Sequence, residues 1–384
     1  MSRIRRSAPA SASAIIFFAN GFMLSNWFLR IPSVKDALQL SESQLGLALL
    51  FFAVGGVLAM PVGGALVARM GSGKVAVAAG FFLCATMWLP GAAPGLLSLA
   101  IALAIAGSAN GIMDVAMNAQ ADTAEGHVGM GIMSFCHAMF SLGFAFGTLP
   151  AGAFAAASIS PGAHILVAGV FAAIAVGYAA RSVQADRDQV DQDQGGPAQP
   201  SFALPRGPLL FFGMICFCGA VVEGAIYDWV AVYMEEVRLA GPLETSAAFG
   251  VFAGAMVLSR LMGDTVSERI GADRAVRAGL LLAAVGMTIA LTLPSPIHIV
   301  GFAAVGLGVA GVFPSVFRAA GNLPGRPAGP SMAAAVTLGY TGFLLAPPFI
   351  GFLADATSLG TALWVLIPLS LIGAALAGTL RAAE

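Results

Sequence analysis

Charged residues are scarce in this chain. Asp, Glu, Lys and Arg make up 10% of its 384 residues, against about 25% in soluble domains. Hydrophobic residues make up 58%, and a soluble protein cannot bury that much apolar surface, whereas lipid solvates it without penalty. The composition therefore excludes a soluble globular protein and predicts a membrane protein.

The sequence also lacks a strong net charge and any cysteine pattern typical of metal binding or redox activity. The formal net charge is -1, so the chain lacks the basic surface that nucleic acid requires, and no nucleic-acid partner is expected. The four cysteines all lie in apolar runs without a CxxC pair or ligand cluster, which favours small core hydrophobes. No metal, no cofactor and no nucleotide-binding segment are expected.

Long apolar runs dominate instead. A bilayer core of about 30 Å requires roughly 20 apolar residues per helix. Cutting the sequence at Gly, Pro and charged residues gives twelve such segments: 12–32, 44–68, 75–91, 95–120, 130–155, 163–181, 208–234, 246–267, 275–293, 297–319, 331–354 and 360–380. The sequence predicts an all-α membrane protein with twelve transmembrane helices, the first of them a span rather than a cleaved signal peptide.

One long polar stretch separates the sixth and seventh segments. It is rich in Asp, Gln, Pro and Gly, which is typical of a flexible linker. We expect an N-terminal six-helix bundle over residues 1–181, a cytoplasmic linker over 182–206 and a C-terminal six-helix bundle over 207–384.

The two expected bundles share a repeat at a shift of two hundred residues. GGALVARMGSGK (63–74) and GDTVSERIGADR (263–274) match at two Gly and one Arg, with a Lys opposite an Arg at the end. A weaker echo pairs Gly111, Asp114 and Asn118 with Gly311, Pro314 and Arg318. Duplicated membrane units with a working site between the copies are typical of secondary transporters.

Positive charge predicts the orientation of the helices. Every strongly basic loop falls on the side shared by both termini, and acids accompany the few basic residues of the alternate loops. The basic residues on the shared side are Arg3, Arg5, Arg6, Arg69, Lys74, Arg181, Arg187, Arg206, Arg269, Arg274, Arg277, Arg318, Arg326 and Arg381. We expect both termini in the cytoplasm and a multi-pass protein of a bacterial inner membrane.

A turn motif and four short runs carry a family resemblance. Gly64, Arg69 and Gly71 form a Gly-x-x-x-x-Arg-x-Gly turn after the second helix, and the runs are DVAMNAQ, HAMFSLG, EGAIYDW and SRLMGD. With the six-plus-six duplication and polar linker, the turn resembles the major facilitator superfamily, and the runs resemble its fucose-permease-like branch. The resemblance implies two pseudo-symmetric bundles, a cavity lined by the first, fourth, seventh and tenth helices, and a sugar or similar small polar solute as cargo.

The sequence departs from the superfamily pattern. Ala68 precedes Arg69 where an Asp is usual, and an acid survives there only as Glu268. The fourth helix lacks the Arg of many proton-coupled members. GFAFGTLPAG (143–152) is a loose echo of the antiporter motif, with Thr148 where a Pro is expected. An exporter of metabolites or drugs by proton antiport therefore stays an alternative.

Polar residues on the fourth and fifth helices are candidate functional residues, because charges inside lipid are costly. Asn110, Asp114 and Asn118 are spaced by four and form one stripe. His137 is expected at a similar depth to Asp114, and a carboxylate beside an imidazole can hold and pass a proton near neutral pH. Asp114 and His137 are predicted to couple protons, and Asn110 and Asn118 to bind substrate. A purely structural, hydrogen-bonded role is the alternative for each.

The seventh and first helices supply the remaining site candidates. Glu223 near mid-depth is the third predicted proton-coupling residue, and Tyr227, one turn away, is a predicted substrate ligand. Asn20 and Trp27 lie about two turns apart on nearly the same face and are predicted to bind substrate. Trp27 is equally typical of an interfacial aromatic belt.

A further set of charged residues is expected to act in gating. Arg260 and Asp264 form an i, i+4 pair at the inner end of the eighth helix, next to Arg269 in the repeated turn. The favoured interpretation is a structural latch of the inner gate without substrate contact. The predicted gating residues are Arg30, Asp228, Arg260, Asp264, Arg269 and Arg318.

These features predict a secondary transporter that works by alternating access with protons as the energy source. The family resemblance implies a sugar or similar small polar solute as cargo. Expected partners are a small-molecule substrate, protons and the lipid bilayer, and the protein is expected to be a monomer and not an enzyme. The minor alternative, a transporter-like membrane sensor or a membrane enzyme, is disfavoured because no nucleophile–base constellation is present.

Overall fold

The computed structural model describes residues 8–129, 131–183, 206–324 and 327–383. Within these ranges twelve helices are long and apolar enough to cross a membrane. They are α1 (Ala8–Leu38), α2 (Glu42–Met70), α3 (Ser72–Ala92), α4 (Leu96–Gly126), α5 (Met133–Ala156), α6 (Pro161–Val183), α7 (Pro208–Val237), α8 (Pro242–Gly263), α9 (Ala272–Thr292), α10 (Ile297–Gly321), α11 (Gly329–Ala356) and α12 (Leu359–Arg381). Each predicted segment overlaps one of these helices, and the all-α, twelve-helix fold is confirmed.

The repeated turn has the same backbone geometry in both copies. Gly71, between α2 and α3, has φ 86° and ψ 147°, and Gly271, before α9, has φ 89° and ψ 149°. Residues with a Cβ rarely adopt a positive φ, so Gly is required at both positions. Gly71 follows the helix Glu42–Met70, and Gly271 follows the helix Pro242–Ile270, which extends beyond the membrane span of α8. Each Gly therefore ends one helix and begins the next, as the repeat at a shift of two hundred residues predicts.

Two of the spans are interrupted. α1 contains a helix from Ala8 to Phe28 and a second from Ile31 to Leu38. α10 contains a helix from Ile297 to Val309 and a second from Val312 to Gly321, separated by Ala310 and Gly311. The apolar pattern predicts continuous helices over 12–32 and 297–319, so neither interruption was anticipated. Both matter for the candidate site, because interrupted helices in transporters place backbone groups at membrane depth.

The chain divides into two compact units. The first contains α1–α6 with residues Ala240–Ser246, and the second contains α7, α9–α12 and α8 from Ala247 onward. Most of the linker predicted over 182–206 lies outside the described residues, since the description ends at 183 and resumes at 206.

Small residues bring helices together inside the first unit. A Cβ built on Gly143 of α5 would lie 2.0 Å from the main-chain oxygen of Phe18 of α1, and one on Gly21 of α1 would lie 2.1 Å from that of Phe140. Association of helices in lipid depends on this kind of close packing, because the hydrophobic effect does not favour helix–helix over helix–lipid contact. The resulting α1–α5 contact holds the polar residues of α1 in a fixed position.

Candidate functional site

An amide pair joins α1 and α4 in the first unit. The Asn20 side chain is 2% exposed, and its Nδ2 donates to Oδ1 of Asn110 at 2.9 Å. The sulfur of Met113 lies 3.3 Å from the same nitrogen. The sequence predicts both asparagines as substrate ligands, and the structure brings them together. Asn110 is partly exposed, so its own amide nitrogen can donate a hydrogen bond to a bound solute.

Asp114 and Asn118 are linked along α4. Asn118 Nδ2 donates to the main-chain oxygen of Asp114 at 2.8 Å and lies 3.3 Å from its Oδ1. Both side chains are partly exposed. This is the stripe that the four-residue spacing predicts, and it directs a carboxylate and an amide to one face of α4.

His137 of α5 packs against α1. Its ring lies edge-on to Phe17, with ring centroids 5.2 Å apart and an interplanar angle of 76°. Its main-chain oxygen accepts a hydrogen bond from Ser141 Oγ at 3.3 Å. The aromatic contact fixes the imidazole beside the helix that also carries Asn20.

A second polar cluster in the first unit was not predicted from the sequence. The histidine cluster consists of Asn26 and Arg30 of α1 and His164 of α6. His164 Nε2 lies 2.8 Å from Asn26 Oδ1, and both side chains are fully buried. Because Asn26 Nδ2 donates to the main-chain oxygen of Phe22 at 2.7 Å, Asn26 Oδ1 is the acceptor and His164 carries a hydrogen on Nε2.

Arg30 completes the histidine cluster. Its side chain is buried, and Nη2 donates to the main-chain oxygen of Ile159, which shortly precedes α6. The ring of His164 stacks on Phe154 at a centroid distance of 4.7 Å. A lone His inside an apolar segment is itself a signal for a functional or structural contact, and that signal was available at position 164. Trp27, the neighbouring candidate ligand, is 1% exposed and is covered by protein.

The second unit contains an ion-pair cluster of Glu223 and Tyr227 on α7 and Arg260 on α8. The Tyr227 hydroxyl donates to Glu223 Oε1 at 2.8 Å, as the one-turn spacing predicts. Arg260 Nη2 lies 3.6 Å from the same oxygen. The side chains of Glu223 and Arg260 are 8% and 13% exposed, so the two charges neutralise each other in a poorly solvated environment.

The position of Arg260 was anticipated only in part. The sequence suggests an i, i+4 partner in Asp264, whose side chain lies outside the described part of the structure. The contact with Glu223 joins residues 37 positions apart on different helices, which no periodic pattern indicates. Tyr227 also contacts α8, with its hydroxyl 3.6 Å from the sulfur of Met256 and its ring edge-on to Phe252 at 5.8 Å.

The other predicted gating residues are more exposed. Asp228 is partly exposed on α7, and Arg269 and Arg318 are exposed at the ends of their helices. Both arginines lie on the basic side of the predicted topology, where long side chains extend towards the membrane surface.

Comparisons with known proteins agree with the twelve-helix fold. Residues 13–340 match the family described as the Major Facilitator Superfamily. The chain is 35% identical to an uncharacterized MFS-type transporter of Yersinia pestis over 91% of this chain and 90% of that protein. It is 31% identical to the membrane protein MosC of Rhizobium meliloti over 94% of this chain and 88% of MosC.

Solved structures share the fold at low sequence identity. The nucleoside transporter NupG superposes with a TM-score of 0.74 at 13% identity, covering 97% of this chain and 99% of NupG. A bacterial homolog of the human lysosomal transporter Spinster superposes with a TM-score of 0.70 at 13% identity, covering 97% of this chain and 96% of that protein. Both are built as two bundles, which is the fold class predicted from the sequence.

Proposed function

This chain belongs to the Major Facilitator Superfamily, and we propose that it is a proton-coupled secondary transporter that moves a small, polar, sugar-like solute across a bacterial inner membrane by alternating access. The ion-pair cluster carries the proposal. A carboxylate that shares one oxygen between a tyrosine hydroxyl and a guanidinium is a group whose protonation changes its partners.

Glu223 is the proposed coupling acid. When Glu223 is ionised, its charge balances Arg260 of α8 and Tyr227 holds it in place. Protonation removes the charge that balances Arg260, and an unbalanced charge in a poorly solvated site is costly. A proton on Glu223 therefore weakens the attachment of α8 to α7, and this links proton binding to helix movement. Asp114 and His137 are the proposed second proton-binding pair.

Hydroxyl-rich solutes suit the polar groups of the first unit. The Asn20–Asn110 pair keeps amide groups available, and Asn118 presents an amide next to Asp114. Amides both donate and accept hydrogen bonds, which matches a ligand whose hydroxyls do the same. We assign substrate binding to Asn20, Asn110, Asn118 and Tyr227. Trp27, the fifth predicted ligand, is buried on α1 about two turns from Asn20.

The remaining assignments follow from charge and topology. Arg30, Asp228, Arg260, Asp264, Arg269 and Arg318 act in gating, both termini face the cytoplasm, and the two bundles span residues 1–181 and 207–384 with a cytoplasmic linker between them. The protein is a monomer and has no enzymatic activity.

Glu223→Gln tests the proposal. The amide keeps the shape and hydrogen-bonding capacity of the acid but fixes it as neutral. In proteoliposomes with an imposed pH gradient, Glu223→Gln is expected to abolish accumulation of labelled sugar while leaving counterflow, which needs no net proton movement. Asp114→Asn is expected to lower both activities, and Asp122→Asn, an exposed acid at the end of α4, serves as the unaffected control.

Two results would contradict the assignment. Wild-type accumulation in Glu223→Gln removes this residue from coupling. Intact counterflow without accumulation in Asp114→Asn, together with loss of both activities in Glu223→Gln, exchanges the two roles. Because Glu223→Gln also unbalances Arg260, Glu223→Gln/Arg260→Gln is measured alongside it, and recovery of thermal stability without recovery of accumulation separates coupling from folding. Solute movement against an inward proton gradient would favour the exporter alternative.

A further inference from the structure

Two arginine contacts join α9 and α12 at their ends on the basic side of the predicted topology. Arg381, at the end of α12, donates from Nε to Oδ2 of Asp273 on α9 at 2.7 Å. One turn further along α9, Arg277 donates from Nε to the main-chain oxygen of Ala374 on α12 at 3.2 Å. The Asp273 side chain is 3% exposed, so the acid is fixed in the protein and sets the direction of the Arg381 side chain.

Each contact uses only the Nε–H of its arginine. A guanidinium has five N–H donors, four of them on the two Nη atoms. The Arg381 side chain is 58% exposed. Arg277 is partly exposed, and a Cβ built on Gly378 would lie 2.8 Å from its Nη2, so its guanidinium lies close to the α12 backbone. Arg274, three residues before Arg277, is exposed on α9. Guanidinium groups are therefore presented together where these two helices meet.

The arginines lie at the end of an apolar surface that faces lipid. On α9, the exposed positions Arg274, Leu281 and Val285 recur at helical spacing, and the two apolar side chains are 45% and 55% exposed. On α12, Leu371 and Ile372 are 46% and 47% exposed. A soluble anion would contact only the charged end of this surface. A phospholipid would contact both parts, with its headgroup at the arginines and a chain along the apolar side chains.

The first copy of the repeat lacks this arrangement. It keeps two of the cations, as Lys74 and Arg181, but it has Gly73 in place of the acid and Val77 in place of the arginine that contacts α12. General attraction of basic residues to an anionic membrane needs only the cations that both copies have. The second copy adds an acid, which lowers the positive charge but directs a guanidinium. That combination favours a specific binding site over a diffuse basic surface.

We propose that the joined ends of α9 and α12 bind the phosphate of one anionic phospholipid through Arg277 and Arg381, with Arg274 beside them. A guanidinium binds phosphate by paired hydrogen bonds, and fixing its direction in advance lowers the entropic cost of binding. The arginines outnumber Asp273, so a headgroup with a net negative charge is preferred over a zwitterionic one. The inference adds a lipid partner to the protein and does not depend on which solute is transported.

The test compares two lipids that differ in headgroup charge. Purified full-length protein in detergent is titrated with dioleoyl phosphatidylglycerol or with zwitterionic dioleoyl phosphatidylcholine, and bound lipids are counted by native mass spectrometry. We expect phosphatidylglycerol to bind more tightly. Arg274→Gln/Arg277→Gln, which leaves the Asp273–Arg381 ion pair intact, should weaken the tightest phosphatidylglycerol site about 30-fold, or about 5-fold for each arginine near an anionic lipid.

The internal repeat supplies the matched control. Lys74→Gln/Arg181→Gln removes the same number of positive charges from the first copy and should leave the tightest phosphatidylglycerol site unchanged. Thermal unfolding midpoints of all variants, measured without added lipid, show whether each is folded.

Asp273→Ala separates a directed site from simple attraction to positive charge. The variant removes an acid and so raises the positive charge, but it also removes the group that directs Arg381. We expect weaker phosphatidylglycerol binding, by about 2- to 10-fold. Attraction to positive charge alone would instead make binding tighter in this variant.

Four results would overturn the proposal. They are equal affinity for the two lipids, equal losses in the two double variants, tighter phosphatidylglycerol binding in Asp273→Ala, and displacement of the lipid by an equal concentration of inorganic phosphate. The last result would identify a site for a soluble anion.

Discussion

Gly111 in α4 and Gly311 in α10 occupy the same position of the internal repeat, yet the two helices differ there. α4 continues without a break from Leu96 to Gly126, whereas α10 is interrupted at Ala310 and Gly311. A Cβ on Gly111 would lie 2.3 Å from the main-chain oxygen of Gly56, while one on Gly311 would meet nothing within 4 Å. Glycine therefore permits close backbone contact with α2 at position 111 of α4, whereas at position 311 of α10 it lies at a helix break.

We infer that the residue three positions later contributes to the difference. Asp114 in α4 has a main-chain N–H that can complete the helix, but its counterpart Pro314 in α10 has none to donate to the carbonyl of Ala310. Non-helical backbone at membrane depth is tolerated where it faces protein or a water-filled cavity. One copy thus carries a charged side chain on an intact helix, and the other carries a break that frees backbone groups.

Asp114→Pro should have the largest effect, since it gives α4 the residue of its counterpart. Proline inside a helix removes a hydrogen bond and clashes with the preceding turn, at a cost of about 3 kcal/mol or more. We expect a large fall in the thermal unfolding midpoint measured in detergent. Asp114→Asn, which removes the charge alone, should stay close to the wild-type midpoint. Equal losses in both variants would show that the carboxylate, and not the intact helix, supports the fold.

Gly111→Ala and Gly311→Ala form a matched pair with the next largest difference. The first places a methyl group against the backbone of Gly56, which cannot move aside cheaply, so a loss of about 1–3 kcal/mol is expected. The second adds a methyl group in open space at φ -86° and should change stability by less than about 0.5 kcal/mol. Chemical unfolding of the two variants provides the measurement, and similar losses in both would contradict the packing difference.

The sequence predicts the parts of this comparison that depend on local pattern. Twelve apolar runs, the Gly71 and Gly271 turns and the Tyr227–Glu223 spacing all depend on residues near each other in the chain, and the structure shows each of them. A residue that could indicate the break in α10 was also visible locally, since Pro314 lies inside the apolar run. The uninterrupted hydropathy of that run nevertheless predicted a continuous helix.

Contacts between distant helices could not be predicted in the same way. Asn26–His164 and Glu223–Arg260 each join residues on different helices, and one sequence does not specify which helix faces are neighbours. For Asn20 and Asn110, the sequence predicted that both bind substrate, but not that they form a hydrogen bond with each other. The functional roles of all these residues stay predictions.

Asn110→Ala should have a smaller effect, and it also converts α4 to the residue of its counterpart, Ala310. The change removes the acceptor at 2.9 Å from buried Asn20, and an unsatisfied buried donor typically costs about 1–3 kcal/mol. The sulfur of Met113 at 3.3 Å remains as a weak acceptor, so we expect the lower end of that range, about 1 kcal/mol. Thermal unfolding of Asn110→Ala, Asn20→Ala and the double variant measures the coupling, and strictly additive losses would show that the two amides do not interact.

Pro314→Ala should have a small effect on stability and gives the sharpest test of the comparison. It restores an N–H that can bond to the carbonyl of Ala310, so α10 should become continuous like α4, with stability changed by about 1 kcal/mol or less. Hydrogen exchange should slow in the peptide that spans Ala310 to Ser315, and uptake by proteoliposomes should fall if the break is part of the transport cycle. Pro150→Ala is the control, because α5 is already continuous through Pro150 and its transport rate should not change. Unchanged exchange around Gly311 would mean that Pro314 does not cause the break, and slowed exchange with wild-type uptake would mean that transport does not require it.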